Sequence, residues 1–177
     1  LGTAEKATDI LLSAFAKSAA AHDWTLKLIG PVKETFRPSI DLFCEQYPQL
    51  KERVIFLGKI TDKETLSKEY RKAKIFTLPS RSESFGIVLV EAANEGCYLI
   101  TTDMVPAGYD VNGNGRFGLV VPADNADALA NAFSDLCGKN NSRDWNKEAQ
   151  EISLFAQKTF CWDTIIRQLY KAITECP

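Results

Sequence analysis

The segment Ser-Arg-Ser-Glu-Ser-Phe-Gly-Ile-Val-Leu-Val-Glu-Ala-Ala-Asn-Glu-Gly, residues 80–96, decides the predicted fold of this chain. It follows the apolar run Ile75 to Leu78, which a proline ends, as is typical of a buried strand. A helix is expected within the segment, because Ser82 and Ser84 are good N-cap residues and Gly96 suits the residue that closes a helix. The pattern therefore predicts a strand, a short polar turn and a helix.

This arrangement favours an anion at the amino end of the helix. Free backbone N–H groups and the helix dipole both attract negative charge there, so we predict a phosphate seat. Glu91 lies in an otherwise apolar helix that is expected to be buried. A buried carboxylate is costly unless it has a partner, a cavity or a ligand. Glu83 is predicted to lie at the mouth of the turn, so the anion seat falls between the two carboxylates.

Length and composition are those of one ordinary globular domain. The chain has 177 residues, of which 45% are hydrophobic and 25% are charged, so residues 1–177 are expected to form a single domain. The net charge of −2 gives no electrostatic footprint for nucleic acid. We recognise neither a transmembrane stretch nor a signal peptide.

The cysteines and the histidine limit the chemistry further. Five cysteines are odd in number and lack Cys-x-x-Cys spacing, which argues against a disulfide framework or a zinc site. They are Cys44, Cys97, Cys137, Cys161 and Cys176. With His22 as its single histidine, the chain has no self-contained Ser-His-Asp triad. A reducing, cytoplasmic compartment is expected.

Along the chain, strands alternate with helices. Apolar runs predict strands at 26–29, 54–57, 75–78, 98–102 and 119–121. Helical spacing predicts helices at 4–20, at 36–47, at 62–71, at 87–93 with Ser82 or Ser84 as cap, at 125–136 with Asp124 as cap, at 143–157 and at 162–174. Residues 106–118 are expected to be a loop. The fold class is therefore α/β, with a doubly wound, Rossmann-like parallel sheet.

Residues 83–92 resemble the E-x7-E signature of family-4 glycosyltransferases with the GT-B fold. The similarity extends over nearly the whole chain. The segments that resemble the family's strands and its terminal helix are 54–58, 75–80, 99–103, 118–122 and 159–162. The resemblance implies the carboxyl-terminal, nucleotide-sugar half of such an enzyme. In the family an arginine lies six positions before the lysine that corresponds to Lys6, and a central strand precedes that arginine. We therefore expect the first strand and the amino-terminal domain to be missing. Between strands 26–29 and 75–78 we expect a gap, a strand contributed by a neighbouring chain, or a few further upstream residues.

The resemblance also implies a role for individual residues. Glu83 would contact the hydroxyls of the donor sugar, and Lys6 would pair with the diphosphate as it leaves. Glu91 would accept hydrogen bonds from the ribose, and the backbone of Ile60 would meet the base. The diphosphate would lie on the turn formed by Ser84, Phe85, Gly86, Ile87 and Val88.

The function implied is transfer of a hexose from a uridine or guanosine diphosphate sugar, with retention of configuration and without a metal or other cofactor. A carbohydrate or lipid-linked acceptor would be held by the missing amino-terminal domain, and the full-length enzyme could associate peripherally with a membrane. Two alternatives stay open: a sugar-nucleotide epimerase of the same fold, and a module that only binds nucleotide.

Structural interpretations also stay open for single residues. Glu91 could be a core carboxylate paired with a lysine or arginine, and Lys6 could be a solvated surface lysine. His22 is interpreted as a turn residue and not as a catalyst, and residues 112–115 as a loop that could face the donor. Ala7 stands where the family has a glycine after the lysine.

Overall fold

A computed structural model of the chain describes residues 1–139 and 141–174. Strands lie at all five predicted positions: β1 (Leu26–Ile29), β2 (Val54–Gly58), β3 (Ile75–Leu78), β4 (Tyr98–Thr102) and β5 (Gly118–Val121). Every pair of neighbouring strands is parallel, which confirms the predicted fold class. The strands form two sheets, β1–β2 and β3–β4–β5.

A cavity separates the two sheets. Every residue of β1 and of β3 lines this space, whose volume is about 730 Å³. The predicted gap between these two strands is therefore present. The carboxyl ends of β1, β2 and β3 all reach it, because the segments that follow these strands contribute Gly30, Ile60 and Pro79 to its wall.

Helices join and cover the strands. They are α1 (Thr8–Ser18), α2 (Arg37–Gln46), α3 (Lys63–Lys72), α4 (Ile87–Asn94), α5 (Gly108–Val111), α6 (Ala126–Cys137), α7 (Trp145–Phe160) and α8 (Trp162–Thr174). Helix α1 packs on α6, and α4 packs on α7. Strand β4 is buried along its whole length, so the core lies around it.

Three local predictions were wrong. The first helix begins at Thr8, because Ala7 adopts left-handed φ and ψ angles of 47° and 41° that separate a 3-10 turn, Ala4–Lys6, from α1. The predicted loop 106–118 contains the short helix α5. The cap of α6 is Asn125, whose side chain accepts the N–H of Ala128.

His22 lies between α1 and β1 and is only 2% exposed. Its ring contacts the Ser18 hydroxyl at 3.2 Å and the Arg53 guanidinium at 3.0 Å. Burial, and secondarily the charge of Arg53, lower the pKa of His22 below its usual value. These contacts join α1 to the segment before β2, so the residue has a structural role.

The four described cysteines, Cys44, Cys97, Cys137 and Cys161, are unpaired, while Cys176 lies outside the described residues. Within the described ranges, no helix combines the length and the apolar character needed to cross a membrane.

Candidate functional site

The loop between β3 and α4 turns sharply at Gly86. This glycine has a φ of 91°, and a Cβ atom at its position would lie 2.9 Å from Cγ1 of Val105. Only glycine fits both the backbone and the space, and the helix begins at the next residue, Ile87. The prediction that Ser82 or Ser84 caps α4 was wrong, because Gly86 is the N-cap and no side chain caps the helix.

The amino end of α4 presents free backbone donors. Among the described residues, the N–H groups of Gly86, Ile87 and Val88 donate to no protein acceptor, and the first bonded N–H is that of Leu89, 2.9 Å from the Gly86 carbonyl. The first N–H groups of a helix lack intrahelical partners and point along its dipole. The turn can therefore receive an anionic group.

Lys6 and Glu83 form an ion pair beside this turn. They are 77 positions apart in the sequence and come from the Ala4–Lys6 turn and the β3–α4 loop. The Ser80 hydroxyl donates a 3.0 Å hydrogen bond to the same carboxylate oxygen of Glu83, and Thr102 of β4 donates to the Ser80 carbonyl at 2.5 Å. The Glu83 side chain is 14% exposed, so this carboxylate is held firmly from two sides.

Glu91 lies on the wall of the cavity and not in the core. It is exposed, which contradicts the predicted burial; the reason is that α4 packs on one side only, while its other side faces the gap between the sheets. Its carboxylate accepts a 3.5 Å hydrogen bond from Tyr70 and makes no ion pair with a described residue. The alternative of a core ion pair therefore fails. Ile60, Val88 and Lys6 line the same cavity.

The profile of a protein family described as "Glycosyl transferases group 1" matches residues 1–139. This match covers more than half of the chain. The chain belongs to the group 1 glycosyltransferases.

Curated relatives of this glycosyltransferase domain are much longer than the matched region. A phosphatidyl-myo-inositol mannosyltransferase of Mycolicibacterium smegmatis is 34% identical over 130 residues, which cover 72% of the chain and 32% of the relative. An exopolysaccharide phosphotransferase of Streptomyces coelicolor is 30% identical over 176 residues, which cover 97% of the chain and 17% of the relative. The chain thus spans a third or less of either protein.

Solved structures place the glycosyltransferase domain in the GT-B fold. A sucrose-phosphate synthase from Thermosynechococcus elongatus superposes with a TM-score of 0.75 at 28% identity, over 97% of this chain and 43% of that one. The Anabaena protein HepE, solved in complex with UDP, gives a TM-score of 0.74 at 21% identity, over 98% of this chain and 46% of that one. The carboxyl-terminal domain of a group 1 glycosyl transferase, LpcC from Francisella tularensis, gives a TM-score of 0.73 at 23% identity, over 88% of this chain and 80% of that one. The fold is therefore that of a carboxyl-terminal GT-B half.

The remaining predicted residues of the glycosyltransferase site differ in exposure. Ser84 is exposed, and the Phe85 and Ile87 side chains are 48% and 60% exposed at the mouth of the turn. Ile60 is half-buried after β2. The structure thus brings Lys6 to Glu83 directly, and it brings Ile60 and Glu91 to one cavity.

Sequence reasoning missed Tyr70 and Ser80. Tyr70 lies in the predicted helix 62–71 and had no predicted role in the site, yet its hydroxyl faces Glu91, and burial together with the Glu91 carboxylate raises the pKa of this phenol. Ser80 lies in the segment 75–80 that resembles a strand of the family and had no predicted side-chain role, yet its hydroxyl donates to Glu83. No spacing in a single sequence links α3 to α4, so Tyr70 gave no signal.

Proposed function

We propose that this chain forms the donor-binding half of a retaining glycosyltransferase that transfers a hexose from a nucleoside diphosphate sugar. The observation that carries the proposal is that three features lie together at the carboxyl edge of the sheets. These are the free N–H groups of α4, the Lys6–Glu83 pair and the exposed carboxylate of Glu91. Together they offer a seat for an anion next to acceptors for hydroxyl groups.

The diphosphate would bind at the amino end of α4. Backbone N–H groups of Gly86, Ile87 and Val88 would donate to its oxygens, and the Lys6 ammonium would neutralise part of its charge. Negative charge grows on a nucleoside diphosphate as the glycosidic bond breaks. A preorganised cation and helix dipole stabilise that charge more in the transition state than in the ground state.

The two carboxylates would bind different parts of the donor. Glu91 has one weak protein partner and can accept both ribose hydroxyls, while the backbone of Ile60 would contact the base. Glu83 would accept from a hydroxyl of the sugar. Lys6 pairs with Glu83 in the structure, so donor binding would exchange that ion pair for contacts to diphosphate and sugar.

The proposal includes chemistry without a metal, in a reducing cytoplasmic setting. Lys6 and the amino end of α4 already provide positive charge at the seat, which is the part that a metal ion would otherwise play. The acceptor would be a carbohydrate or lipid-linked molecule bound outside this chain.

The relative named a phosphotransferase does not argue for a second function. The chain matches only 17% of that protein, so its printed activity concerns a molecule of which this domain is a small part.

A thermal-shift screen tests the proposal. The purified chain is heated with UDP, GDP, ADP and their glucose or mannose conjugates, and with uridine and guanosine as controls. A ligand at 100 times its dissociation constant should stabilise the fold by about 2.7 kcal/mol. We expect a shift with at least one nucleoside diphosphate and a smaller one with the matching nucleoside. No shift with any diphosphate, confirmed by calorimetry, would contradict the proposal.

A further inference from the structure

Arg81 joins three segments around the predicted diphosphate seat. Its guanidinium donates two hydrogen bonds to Asp9 of α1, at 3.2 and 2.8 Å, one to the Ala4 carbonyl at 2.6 Å, and one to Asp124 of the β5–α6 turn. Its backbone N–H donates to the Glu5 carbonyl at 2.7 Å. Four side-chain bonds and one backbone bond therefore converge on a single residue.

Two of these five bonds go to the Ala4–Lys6 turn, which carries Lys6. The Ala4–Lys6 turn has no buried residue, so it is not held by packing. It continues into Ala7, which is fully buried in a left-handed conformation that only glycine adopts without strain. Two successive carbonyls of the turn, those of Ala4 and Glu5, accept hydrogen bonds from Arg81. Apart from the Lys6–Glu83 ion pair, these contacts are what fastens the turn to the β3–α4 loop.

We infer that Arg81 is a positioning residue that holds Lys6 over the amino end of α4 and thereby sets the affinity of the chain for a diphosphate. The inference rests on the proposed function. It adds that Lys6 needs a clamp, meaning a second attachment to the β3–α4 loop, because donor binding would remove its ion pair with Glu83. Among the described residues, Arg81 would then provide the polar link between the two segments.

Arginine suits this task and lysine does not. The planar guanidinium reaches two carboxylates and a carbonyl at once, whereas an ammonium group is a point charge with a different geometry. The ion pairs lie on the surface, where such pairs contribute little to folding, because the Asp9 and Asp124 side chains are 52% and 59% exposed. Replacing Arg81 should therefore disturb the site more than the stability of the domain.

The test compares Arg81→Met and Arg81→Lys with the wild-type chain by calorimetry, using UDP or GDP and the matching nucleoside. Both variants should bind the diphosphate about 10-fold more weakly. Binding of the nucleoside, measured by competition, should stay within twofold. Lys17→Met is the matched control, because it removes a 2.6 Å ion pair between α1 and Asp127 of α6 that involves neither the Ala4–Lys6 turn nor the β3–α4 loop. It should leave both affinities unchanged.

A double-variant cycle shows whether Arg81 acts through Lys6. Adding Arg81→Met to Lys6→Met should weaken diphosphate binding by less than twofold beyond Lys6→Met alone. If the two substitutions lower the affinity for diphosphate independently, Arg81 does not act through Lys6 and the inference is wrong. The inference is also wrong if Arg81→Lys binds diphosphate as tightly as the wild type, because a positive charge alone would then be enough.

Hydrogen exchange in the ligand-free chain separates this inference from the proposed function. The N–H groups of Lys6, Ala7 and Leu11 bond to the carbonyls of Thr3, Ala4 and Ala7. In Arg81→Met they should exchange about 10-fold faster while the amides of β4 stay protected. Unchanged exchange would refute the clamp even if the chain binds no nucleotide. A wild-type chain that binds no diphosphate would refute the proposed function, and with it the link between the clamp and affinity.

Discussion

Replacing Glu91 by glutamine should weaken nucleotide binding without harming the fold. The carboxylate is exposed on the cavity wall, and its one hydrogen bond with a described residue is the 3.5 Å bond from Tyr70. A surface substitution of this kind changes the free energy of unfolding by about 0.5 kcal/mol or less. A glutamine side chain has one acceptor oxygen and can no longer accept both ribose hydroxyls as an anion. A hydrogen bond to a charged group contributes about 1.5–3 kcal/mol, so affinity should fall roughly 10- to 100-fold.

Calorimetry with nucleoside diphosphate and with nucleotide sugar measures this effect, and the two ligands should lose affinity equally because both contain the ribose. Glu95→Gln is the control, since Glu95 follows α4 but binds Ser67 and Arg71 outside the cavity lining. That variant should bind as the wild type does. If Glu91→Gln keeps its affinity within about twofold, a difference near 0.4 kcal/mol, the ribose assignment is wrong.

Four further predictions concern the sugar, the turn, the fold and the metal. Glu83→Gln should leave the affinity for diphosphate undiminished in calorimetry. It should lower turnover in a longer parent enzyme, because Glu83 would contact the sugar, which moves in the reaction. The purified 177-residue chain should show no time-dependent sugar transfer of its own. Gly86→Ala should lower the free energy of unfolding by about 1–2 kcal/mol in urea titrations, because an L-residue is strained at a φ of 91°, and an unchanged midpoint would contradict this. His22 is held neutral, with its folded pKa below 6.5, so its contribution to stability should be complete above pH 6.5 and lost as pH falls below that value; His22→Gln should remove this part of the pH profile. Treatment with EDTA should not change diphosphate affinity, and a loss that Mg²⁺ or Mn²⁺ restores would show that a metal takes part.

The strands were predictable because their signals are local. Each apolar run is bounded by Gly, Pro or a polar turn, as at Leu26–Ile29 and Ile75–Leu78, and a buried parallel strand needs little else. The family resemblance added what periodicity lacks, namely the central gap between these two strands. Both predictions agree with the described structure.

The errors arose where tertiary contacts override local preference. Ser82 and Ser84 are good caps in isolation, but the close approach of Val105 at Gly86 places the start of α4 farther along the chain. Glu91 looked buried because the sequence around it is apolar on every side, yet one side of α4 borders the cavity. Alanine itself does not indicate the left-handed conformation of Ala7, since it is the best helix former and rarely has a positive φ; the indication was the glycine that the family has at this position.

Amide chemical-shift mapping tests the central claim that the amino end of α4 binds a diphosphate. The ¹⁵N-labelled chain is titrated with UDP and, separately, with GDP. We predict saturable shifts of the N–H groups of Gly86, Ile87 and Val88 with at least one of the two, together with shifts near Lys6 and Ile60, and none in α8. Shifts confined to other surfaces, or saturable binding that leaves Gly86 to Val88 unmoved, would contradict the account.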